Sequence, residues 1–486
     1  MKYLFAALAA ALILCTVITH ATLPDARSEA PVIYWVTDAN PAREEQIRLF
    51  HEWLKKHDYP RIELRLDTAN NDTSKKIIQG VSGVGGDCMD IGSGGGMRYF
   101  NSVGLLTDVT PWAQEMGFDP SHTYPAIKTE ITVDGRQYMF PCNVYDHLYW
   151  VSQATFRNVG QPVPPLQWDL ETFERLGKAY VAAANPPGRR RENFFANGAP
   201  LDVVRRSFGV SVFNETLTRC TLDDRRYVKA LKLIRKWTYD DHLCPTAAEV
   251  QSFNTASGYG GSALQLFNSG NYAMFMMGRY ALIQLRKFGA LELSVSWPPH
   301  GGLPNCSTGT RAAGIYSGSK HPELARYFLA YLASEDYNMQ IVRDADSQPP
   351  NPKYTKSEEY LRPQDYPNEW GCHEVFEDAM WQIAIGPEYS PFVVPDVVSR
   401  GDGEAVEAYM SAVISAEAAA RQATARINAE IDRNLAEDPS LRPRYDGLMA
   451  RQKKIDDLKA RGEKIPLDLV DNHFLRRYYT WAHMAR

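Results

Sequence analysis

Short apolar runs alternate with amphipathic stretches over the first hundred residues. VIYWVT at 32–37 is rich in β-branched and aromatic residues and carries no charge, which predicts a buried strand. Ile47, Phe50 and Leu54 then recur at helical spacing with charges between them, which predicts a helix. The pattern continues as strand, helix and strand at 61–67 (RIELRLD), 75–81 and 88–93 (CMDIGS). Strands that alternate with helices predict a parallel sheet with right-handed crossovers.

The ends of these strands predict where a ligand binds. In parallel sheets, ligands lie beyond the carboxyl ends of the strands, here Thr37-Asp38 and the glycine-rich segment 92–96. We therefore expect Asp38, Gly92 and Ser93 to contribute to a binding site. The glycines lack the spacing of a dinucleotide or phosphate loop, and we expect a loop that lets a ligand approach the backbone. Asn40 is expected to cap the helix that follows the first strand.

A second set of strands and helices begins near residue 143. ITVDGRQYMFP at 131–141 predicts a hairpin, and NVYDHLYWVS at 143–152 opens the new set. The first pattern returns at AAGIYSG (312–318), followed by a helix over 322–334. We therefore predict two α/β lobes with a hinge and a cleft between them. The expected boundaries are 31–142 and 290–400 for lobe 1, 143–289 for lobe 2, and 403–486 for a helical C-terminal extension.

The stretch FNSGNYAMFMMGRYALIQLR places polar residues after a buried strand. Gly270 is expected to end a helix, and YAMFMM predicts a strand buried on both faces. Arg279 and Tyr280 follow that strand and are expected to face the cleft. An arginine fork can donate several hydrogen bonds in a fixed geometry, and a tyrosine ring offers a flat apolar face with a polar tip. The alternative is a salt-bridged Arg279 and a half-buried Tyr280.

Charge and the N-terminus narrow the class of protein. The 53 basic and 58 acidic side chains give a net charge of −5, which argues against a nucleic-acid partner. Lys2, a following apolar run and a small-residue site near Ala21 predict a cleaved signal peptide over 1–21. We expect an exported, periplasmic protein. A lipid anchor on Cys15 is not expected, because Leu14 before it is wrong for that signal.

The cysteines leave two alternatives open. After removal of the signal peptide six cysteines remain, namely Cys88, Cys142, Cys220, Cys244, Cys306 and Cys372. An oxidising compartment permits disulfides, and Cys220–Cys244 is the pair that we favour because a short loop joins them. Buried free thiols are the alternative. No cysteine or histidine spacing is typical of zinc, so neither a metal nor a cofactor is expected.

Several stretches together resemble family 1 extracellular solute-binding proteins, the carbohydrate receptors of ABC importers. They are NPAREEQIRLFHEWLKK, QGVSGVGGDCMDIGSGG, GLLTDVTPW, MFPCNVYDHLYWVS, WDLETFERL, FNSGNYAMFMMGRYALIQLR and LASEDYNMQIVRDADSQPPNPK. The resemblance runs in consistent order from about residue 31 to 400. It differs at Tyr280, where members often carry tryptophan, and it does not cover the tail after about residue 440.

The resemblance implies a periplasmic-binding-protein-like fold that closes on a mono- or oligosaccharide. It also implies permease subunits in the inner membrane as partners, and we expect a monomer. The expected ligand contacts are Asp38, Gly92, Ser93, Asn143, Asn197, Arg279, Tyr280 and Arg311. Asn197 is included because it follows the predicted strand in NFFAN, and Arg311 because it precedes the returning strand.

Two other functions stay open from the sequence. An exported glycoside hydrolase would place two carboxylates in the cleft, but a sequence cannot pair them. His373-Glu374 begins like a metalloprotease helix, yet Glu377 stands where the second histidine would be needed. A scaffold protein that uses the alanine-rich C-terminal region is the third class. The aromatic and basic tail is predicted either to bind a partner or membrane surface or to pack onto the body.

Overall fold

The computed structural model describes residues 30–40, 42–253 and 261–486, so the predicted signal peptide lies outside the described residues. Its strands are β1 Val32–Val36, β2 Glu63–Asp67, β3 Cys88–Ile91, β4 Thr132–Val133, β5 Arg136–Gln137, β6 Met139–Asp146, β7 Leu148–Ser152, β8 Phe194–Ala196, β9 Tyr272–Met277, β10 Leu293–Ser296, β11 Cys306–Ile315 and β12 Ala384–Ile385. Within those ranges, no helix has both the length and the apolar character that a membrane crossing requires.

Helices cover both sheets and form most of the C-terminal region. In chain order they are α1 Ala42–Lys56, α2 Thr73–Val81, α3 Gly94–Ser102, α4 Thr110–Met116, α5 Lys128–Ile131, α6 Gln153–Asn158, α7 Leu170–Ala184, α8 Leu201–Ser207, α9 Arg225–Arg235, α10 Ala247–Ser252, α11 Ser262–Asn268, α12 Leu282–Leu285, α13 Pro322–Ala333, α14 Glu335–Asp344, α15 Glu358–Leu361, α16 His373–Gln382, α17 Pro395–Met410, α18 Ala416–Glu437, α19 Arg442–Ala460 and α20 His473–Trp481.

The larger sheet contains the strands predicted at the start of the chain. Its order is β12-β11-β3-β1-β2, and β6 pairs with β11 along its other edge. β1 runs parallel to both β2 and β3, which confirms the predicted strand–helix–strand units. β11 runs antiparallel to β3 and β6 and brings the chain back into this sheet. This sheet and its helices form lobe 1.

The smaller sheet has the order β10-β7-β9-β8 and forms the centre of lobe 2. The chain passes between the sheets at His147 and over 297–305, and over 386–394 it runs from β12 of the larger sheet to helices that pack on lobe 2. The pairing moves both predicted boundaries by a few residues. β6 stays in the larger sheet as far as Asp146, and β10 pairs with β7 although 290–400 was assigned to lobe 1. Strand partners decide membership here, and a sequence pattern does not reveal them.

A helix start, a tight turn and a helix end lie where local sequence patterns predicted them. The Asn40 side chain accepts a hydrogen bond of 3.0 Å from the Ala42 amide at the start of α1. Asp134 and Gly135 have φ values of 49° and 79°, which form the tight turn between β4 and β5. Gly270 has a φ of 82° just after α11, the left-handed conformation of a helix C-terminus.

The predicted start of the C-terminal extension at residue 403 falls inside α17. Gly401 and Gly403 lie within that helix without ending it. Apolar side chains of α17 and α18 pack with Tyr227 and Leu231 of α9, so these helices belong to the body of lobe 2. The last residues also pack onto the body, since Phe474 and Tyr479 are buried. Of the two alternatives for the tail, packing onto the body is the one that the structure shows.

The favoured disulfide is wrong. All six cysteines of the described residues are buried and free. Cys220 belongs to the apolar cluster shared with α17 and α18, whereas Cys244 belongs to the core beneath the smaller sheet. The residues between them include α9, which places the two thiols in different layers of lobe 2. Closeness in sequence therefore did not bring the thiols together.

Candidate functional site

A polar cluster lies where the carboxyl ends of β1 and β3 meet β6 and β11. Asn143 and Arg311 are direct cross-strand partners, and Ile91, just before Gly92, pairs with Ala312. We call this group the strand-end cluster, and its members are Asp38, Arg43, Asp90, Asn143, Arg311 and Asp346. It joins three of the predicted contacts, Asp38, Asn143 and Arg311.

Hydrogen bonds and ion pairs connect the cluster without a break. Asp346 Oδ1 accepts a bond of 3.0 Å from Asn143 Nδ2, and its Oδ2 accepts one of 2.9 Å from Arg43 Nη1. Arg43 Nε also donates to Asp38 Oδ1 at 2.8 Å. Arg311 Nη1 pairs with Asp90, and Arg311 Nη2 lies 3.6 Å from Asp346 Oδ2. The charged atoms are therefore held in fixed positions before any ligand arrives.

The charges in the cluster balance, and some of its donors are free. Three carboxylates face two guanidinium groups and the Lys76 ammonium, which donates to the carbonyl of Asp90. Burial raises the pKa of Asp38, but the charges of Arg311 and Arg43 outweigh it and lower that pKa. Arg311 Nε and Nη2 are buried without a hydrogen-bond acceptor. The Asp38 side chain is 36% exposed, so it is the member most open to a ligand.

Aromatic side chains continue the same face of β6 toward lobe 2. Tyr145 lies two residues beyond Asn143 and therefore points to the same side of the strand. Gly309 opposite leaves room for the tyrosine, because a Cβ there would lie 2.5 Å from Tyr145 Oη. The Tyr145 ring stacks on His147 at 5.0 Å and meets the edge of Tyr280 at 6.3 Å. Tyr145, His147 and Tyr280 form an aromatic wall where the two lobes meet.

The polar atoms of the aromatic wall are uncharged at neutral pH. Tyr280 Oη lies 3.3 Å from His147 Nε2. Burial lowers the pKa of His147 to about 4, so its imidazole is neutral at pH 7. Burial also raises the pKa of Tyr145 and of Tyr280. The wall offers ring faces and neutral hydrogen-bonding groups, a combination that suits sugar rings.

The glycine-rich segment is a helix start and not the open loop that was predicted. Ser93 caps α3 by accepting a bond of 3.1 Å from the Gly96 amide. A Cβ on Gly94 would lie 2.6 Å from the Glu130 backbone, and one on Gly95 would lie 2.8 Å from Pro395. These two glycines therefore serve close packing inside the protein. Gly92 differs, because a Cβ there would meet nothing within 4 Å.

Two other predicted contacts lie on the matching edge of the smaller sheet. Asn197 and Tyr280 follow the parallel strands β8 and β9, so both are at carboxyl ends of that sheet. Asn197 Oδ1 accepts a bond of 2.9 Å from the Met276 amide, which orients its side chain. Tyr280 reaches Tyr145 across the boundary between the lobes. Together they give lobe 2 a polar and an aromatic group on this edge.

Arg279 does not face the cleft as predicted. It is 1% exposed, and its guanidinium donates to Ser347 O at 2.8 Å and to Val342 O at 3.1 Å. Its Nε donates to His373 Nδ1 at 3.0 Å, and the group lies over the Tyr360 ring. The short helical turn after β9 directs it inward while Tyr280 stays at the boundary. Arg279 is thus a structural residue.

The sequence reasoning missed several members of the site. Asp90 is a charged residue in an otherwise apolar parallel strand, and that pattern alone marks it as unusual. Tyr145 shares the two-residue period of Asn143, which was also visible in the sequence. No local sequence pattern distinguishes Arg43 or Asp346. They are 303 residues apart in the chain, and only the packing of α1 against the segment after α14 places them in contact.

A groove of about 730 Å³ lies elsewhere, between α3, the β4–β5 turn and helices α18 and α19. Its arginines already have partners. Arg444 pairs with Asp134 at 2.8 Å, and Arg451 pairs with Asp471. The strand-end cluster, with unpaired donors and a nearby aromatic wall, has the better chemistry for binding a ligand.

The family model for bacterial extracellular solute-binding proteins matches residues 41–339, more than half of the chain. The chain therefore belongs to this family of extracellular substrate receptors, and the predicted family is confirmed. A comparison with curated proteins finds no match. Among the described residues, no group of three or more acidic, histidine or cysteine side chains could hold a metal ion.

Several solved structures share this fold over most of the chain. An ABC substrate-binding protein from Listeria monocytogenes in complex with cycloalternan has 18% identity and a TM-score of 0.68, covering 83% of this chain and 100% of its own. Maltose-bound MalE3 of T. maritima has 18% identity and a TM-score of 0.65, with coverages of 83% and 99%. UgpB from Mycobacterium tuberculosis in complex with glycerophosphocholine has 15% identity and a TM-score of 0.66, with coverages of 84% and 100%. These likenesses confirm the predicted two-lobed fold.

Proposed function

We propose that this solute-binding protein captures a mono- or oligosaccharide between its lobes and delivers it to an ABC permease. The observation that carries this proposal is the strand-end cluster beside the aromatic wall. The cluster supplies fixed donors and acceptors for hydroxyl groups, and the wall supplies ring faces for stacking. Asp38, Gly92, Asn143, Asn197, Tyr280 and Arg311 are the proposed contacts, with Ser93 nearby as the helix cap.

The balanced charge of the cluster favours an uncharged ligand. A carboxylate or phosphate would need an unpaired cation, whereas here Arg311 and Arg43 already face Asp90, Asp346 and Asp38. Hydroxyl groups can bond to the partly exposed side chains of Asp38 and Arg311 without changing the net charge. Of the three solved structures described above, two are bound to the sugars cycloalternan and maltose, which supports this choice of ligand, and one is bound to glycerophosphocholine.

The family also supports an extracytoplasmic location. We propose export through a signal peptide cleaved near Ala21, with no lipid on Cys15, and action as a monomer beside permease subunits of the inner membrane. N-terminal sequencing of the protein from its native host tests the cleavage. Recovery of Met1 or a lipid on Cys15 would contradict it.

Titration calorimetry with a panel of neutral sugars, uronic acids and glycerophosphodiesters tests the ligand. We expect a neutral sugar to bind with a dissociation constant of micromolar order or tighter, roughly −8 kcal/mol, and without turnover. Small-angle scattering should show compaction at saturating ligand. Tight binding of only the anionic compounds would contradict the proposal. Release of a shorter sugar, followed by chromatography, would instead support the hydrolase alternative.

A further inference from the structure

The last 45 residues of the chain pack directly on two of the three connections between the lobes. We call residues 442–486 the C-terminal tail; it contains α19 and α20. Leu303 lies in the connection 297–305, and Ile385 comes immediately before the connection 386–394. Both are buried in one apolar cluster with tail side chains, namely Ile455, Ile465, Val470, Phe474, Leu475 and Tyr479.

Polar contacts join the tail to lobe 1. Arg477 Nη1 donates to the Ala384 carbonyl of β12 at 2.9 Å, and its Nη2 donates to the Gln382 carbonyl. His473 Nε2 lies 3.0 Å from the Gly386 carbonyl oxygen. Farther along lobe 1, Arg444 forms a two-pronged ion pair with Asp134 in the β4–β5 turn. The tail is therefore held to lobe 1 at two separate places.

A different set of contacts joins the tail to lobe 2. Glu215 is 2% exposed and accepts from Gln452 Nε2 at 2.7 Å and from the Tyr479 hydroxyl. Burial raises the pKa of Glu215, but the Lys459 charge and the hydrogen bonds from Lys459, Tyr479 and Gln452 together outweigh burial and lower that pKa, so the carboxylate is ionised. The buried Asn472 side chain donates to Ser211 Oγ at 2.7 Å. The bonds to Glu215 are buried and charge-assisted, and the Asn472 bond is buried, so all of them are costly to break.

The tail also falls outside the region that defines the family. The family match ends at residue 339. The alignment with the Listeria structure covers all of that structure but only 83% of this chain, so 17% of this chain is unmatched. The unmatched part is longer than the 29 residues before Ala30. This chain thus carries additional residues after Ala30, and the two-lobed fold of such receptors does not require all of them.

We propose that the C-terminal tail is a hinge clamp that sets how readily the lobes rotate, and through this the affinity for the ligand. The proposal rests on the proposed function, in which the lobes move as the ligand binds. Rotation of one lobe changes the separation between Ala384 and Ser211, and the tail is bonded near both. Each rotation must therefore break tail contacts or carry the tail along. Binding energy from the ligand is spent on this work, so a loosened tail changes the ligand dissociation constant.

Hydrogen exchange of the ligand-free full-length protein tests the clamp. Arg477→Met removes two bonds to lobe 1 while keeping an apolar stem of similar length. Phe474→Ala removes the centre of the apolar cluster. Arg461→Ala is the matched control, because Arg461 is 57% exposed and pairs with Glu463 inside the tail. The readout is the exchange of peptides that cover 298–306 and 382–390.

We expect both connections to exchange about tenfold faster in Arg477→Met, and faster still in Phe474→Ala, with no change in Arg461→Ala. For a sugar that binds in the calorimetric panel, the dissociation constant should change by about threefold or more in Arg477→Met. It should not change in Arg461→Ala. Unchanged exchange in both connections, while peptides of α20 in Phe474→Ala exchange faster, would overturn the clamp. Exchange needs no ligand, so failure of every sugar to bind would contradict the proposed function, while the exchange rates would still support or overturn the clamp.

Discussion

Arg311 lies within the buried strand β11 and Arg279 follows the buried strand β9, and the structure gives these two arginines opposite surroundings. Arg311 lies among Asp90 and Asp346, with two nitrogen atoms free of hydrogen bonds and 15% of its side chain exposed. Arg279 is 1% exposed, and carbonyl groups and a histidine nitrogen use all three of its guanidinium nitrogens. The first environment can accept a ligand, whereas the second is complete without one.

The pKa shifts of the two arginines follow the same division. Burial alone lowers an arginine pKa, and it does so for Arg279, where neutral carbonyls are the main partners. At Arg311 burial is again the largest single influence and lowers the pKa, but the charges of Asp90 and Asp346 together with other nearby groups outweigh it and raise the pKa. The comparison teaches that the partners of an arginine decide between a binding role and a structural role. Its position within or just after a buried strand does not decide between these roles.

The largest effect that we predict is on stability. Arg279→Ala leaves two buried carbonyls and His373 Nδ1 without their donor, so it should lower the free energy of unfolding by about 3 kcal/mol. Ligand affinity per folded molecule should stay as in the wild type. Chemical denaturation and calorimetry measure the two quantities, with exposed Arg461→Ala as the control. A loss of affinity without a loss of stability would return Arg279 to the site.

The next largest effect is on affinity. Tyr280→Ala removes a ring from the aromatic wall, and truncation of such an anchor should weaken binding about thirtyfold, roughly 2 kcal/mol. Stability should change less, because Tyr280 is only partly buried at the lobe boundary. Tyr280→Phe is the control that keeps the ring and loses only the hydroxyl near His147. If the alanine variant binds as tightly as the wild type, the ligand does not stack there.

A smaller effect distinguishes fork geometry from charge. Arg311→Lys keeps the positive charge opposite Asp90 but loses the planar fork and its spare donors, so affinity should fall about tenfold. Unfolding by denaturant should change little, since the ion pair can re-form. The same titrations used for Tyr280 measure the change. Equal affinity in the lysine variant would show that Arg311 supplies only charge to the cluster.

The smallest effect is a pH dependence that both regions share. Burial lowers the pKa of His147 to about 4, and burial together with the Arg279 charge lowers that of His373 to about 4. Each histidine binds a proton more weakly when folded than when unfolded, so stability falls as the pH drops from about 6.5 toward 4. Between pH 7 and pH 6 each histidine should lower the free energy of unfolding by about 0.7 kcal/mol. His147→Gln should reduce this slope in denaturation series, and an unchanged slope would contradict the assignment to His147.

Much of the fold could be read from the sequence because its signals are local. The alternation of apolar runs and amphipathic stretches predicted β1 to β3 and their parallel order, as found. Asn40, Asp134-Gly135 and Gly270 marked a helix start, a tight turn and a helix end through the conformations that they favour. The carboxyl ends of β1 and β3 were likewise expected to contribute to a site, and Asp38 after β1 is joined through Arg43 and Asp346 to Asn143 and Arg311.

The predictions that were wrong concerned features that depend on contacts between residues far apart in the sequence. Gly94 and Gly95 are small because Glu130 and Pro395 approach them, and no local pattern announces those neighbours. Cys220 and Cys244 are near in sequence, yet each lies in a different apolar layer. The inward turn of Arg279 depends on carbonyls more than sixty residues away along the chain.

By itself, then, the sequence determined the strands, the turns and the edge of the sheet where a ligand is expected. Hydrophobic period and backbone preference act over a few residues, so they are written in consecutive letters. Only the tertiary structure decided that Arg279 is structural and that the tail covers the connections between the lobes. Each of these outcomes depends on which carbonyl, carboxylate or apolar side chain packing brings within a few ångströms, and burial makes an unpaired polar group costly enough to enforce it.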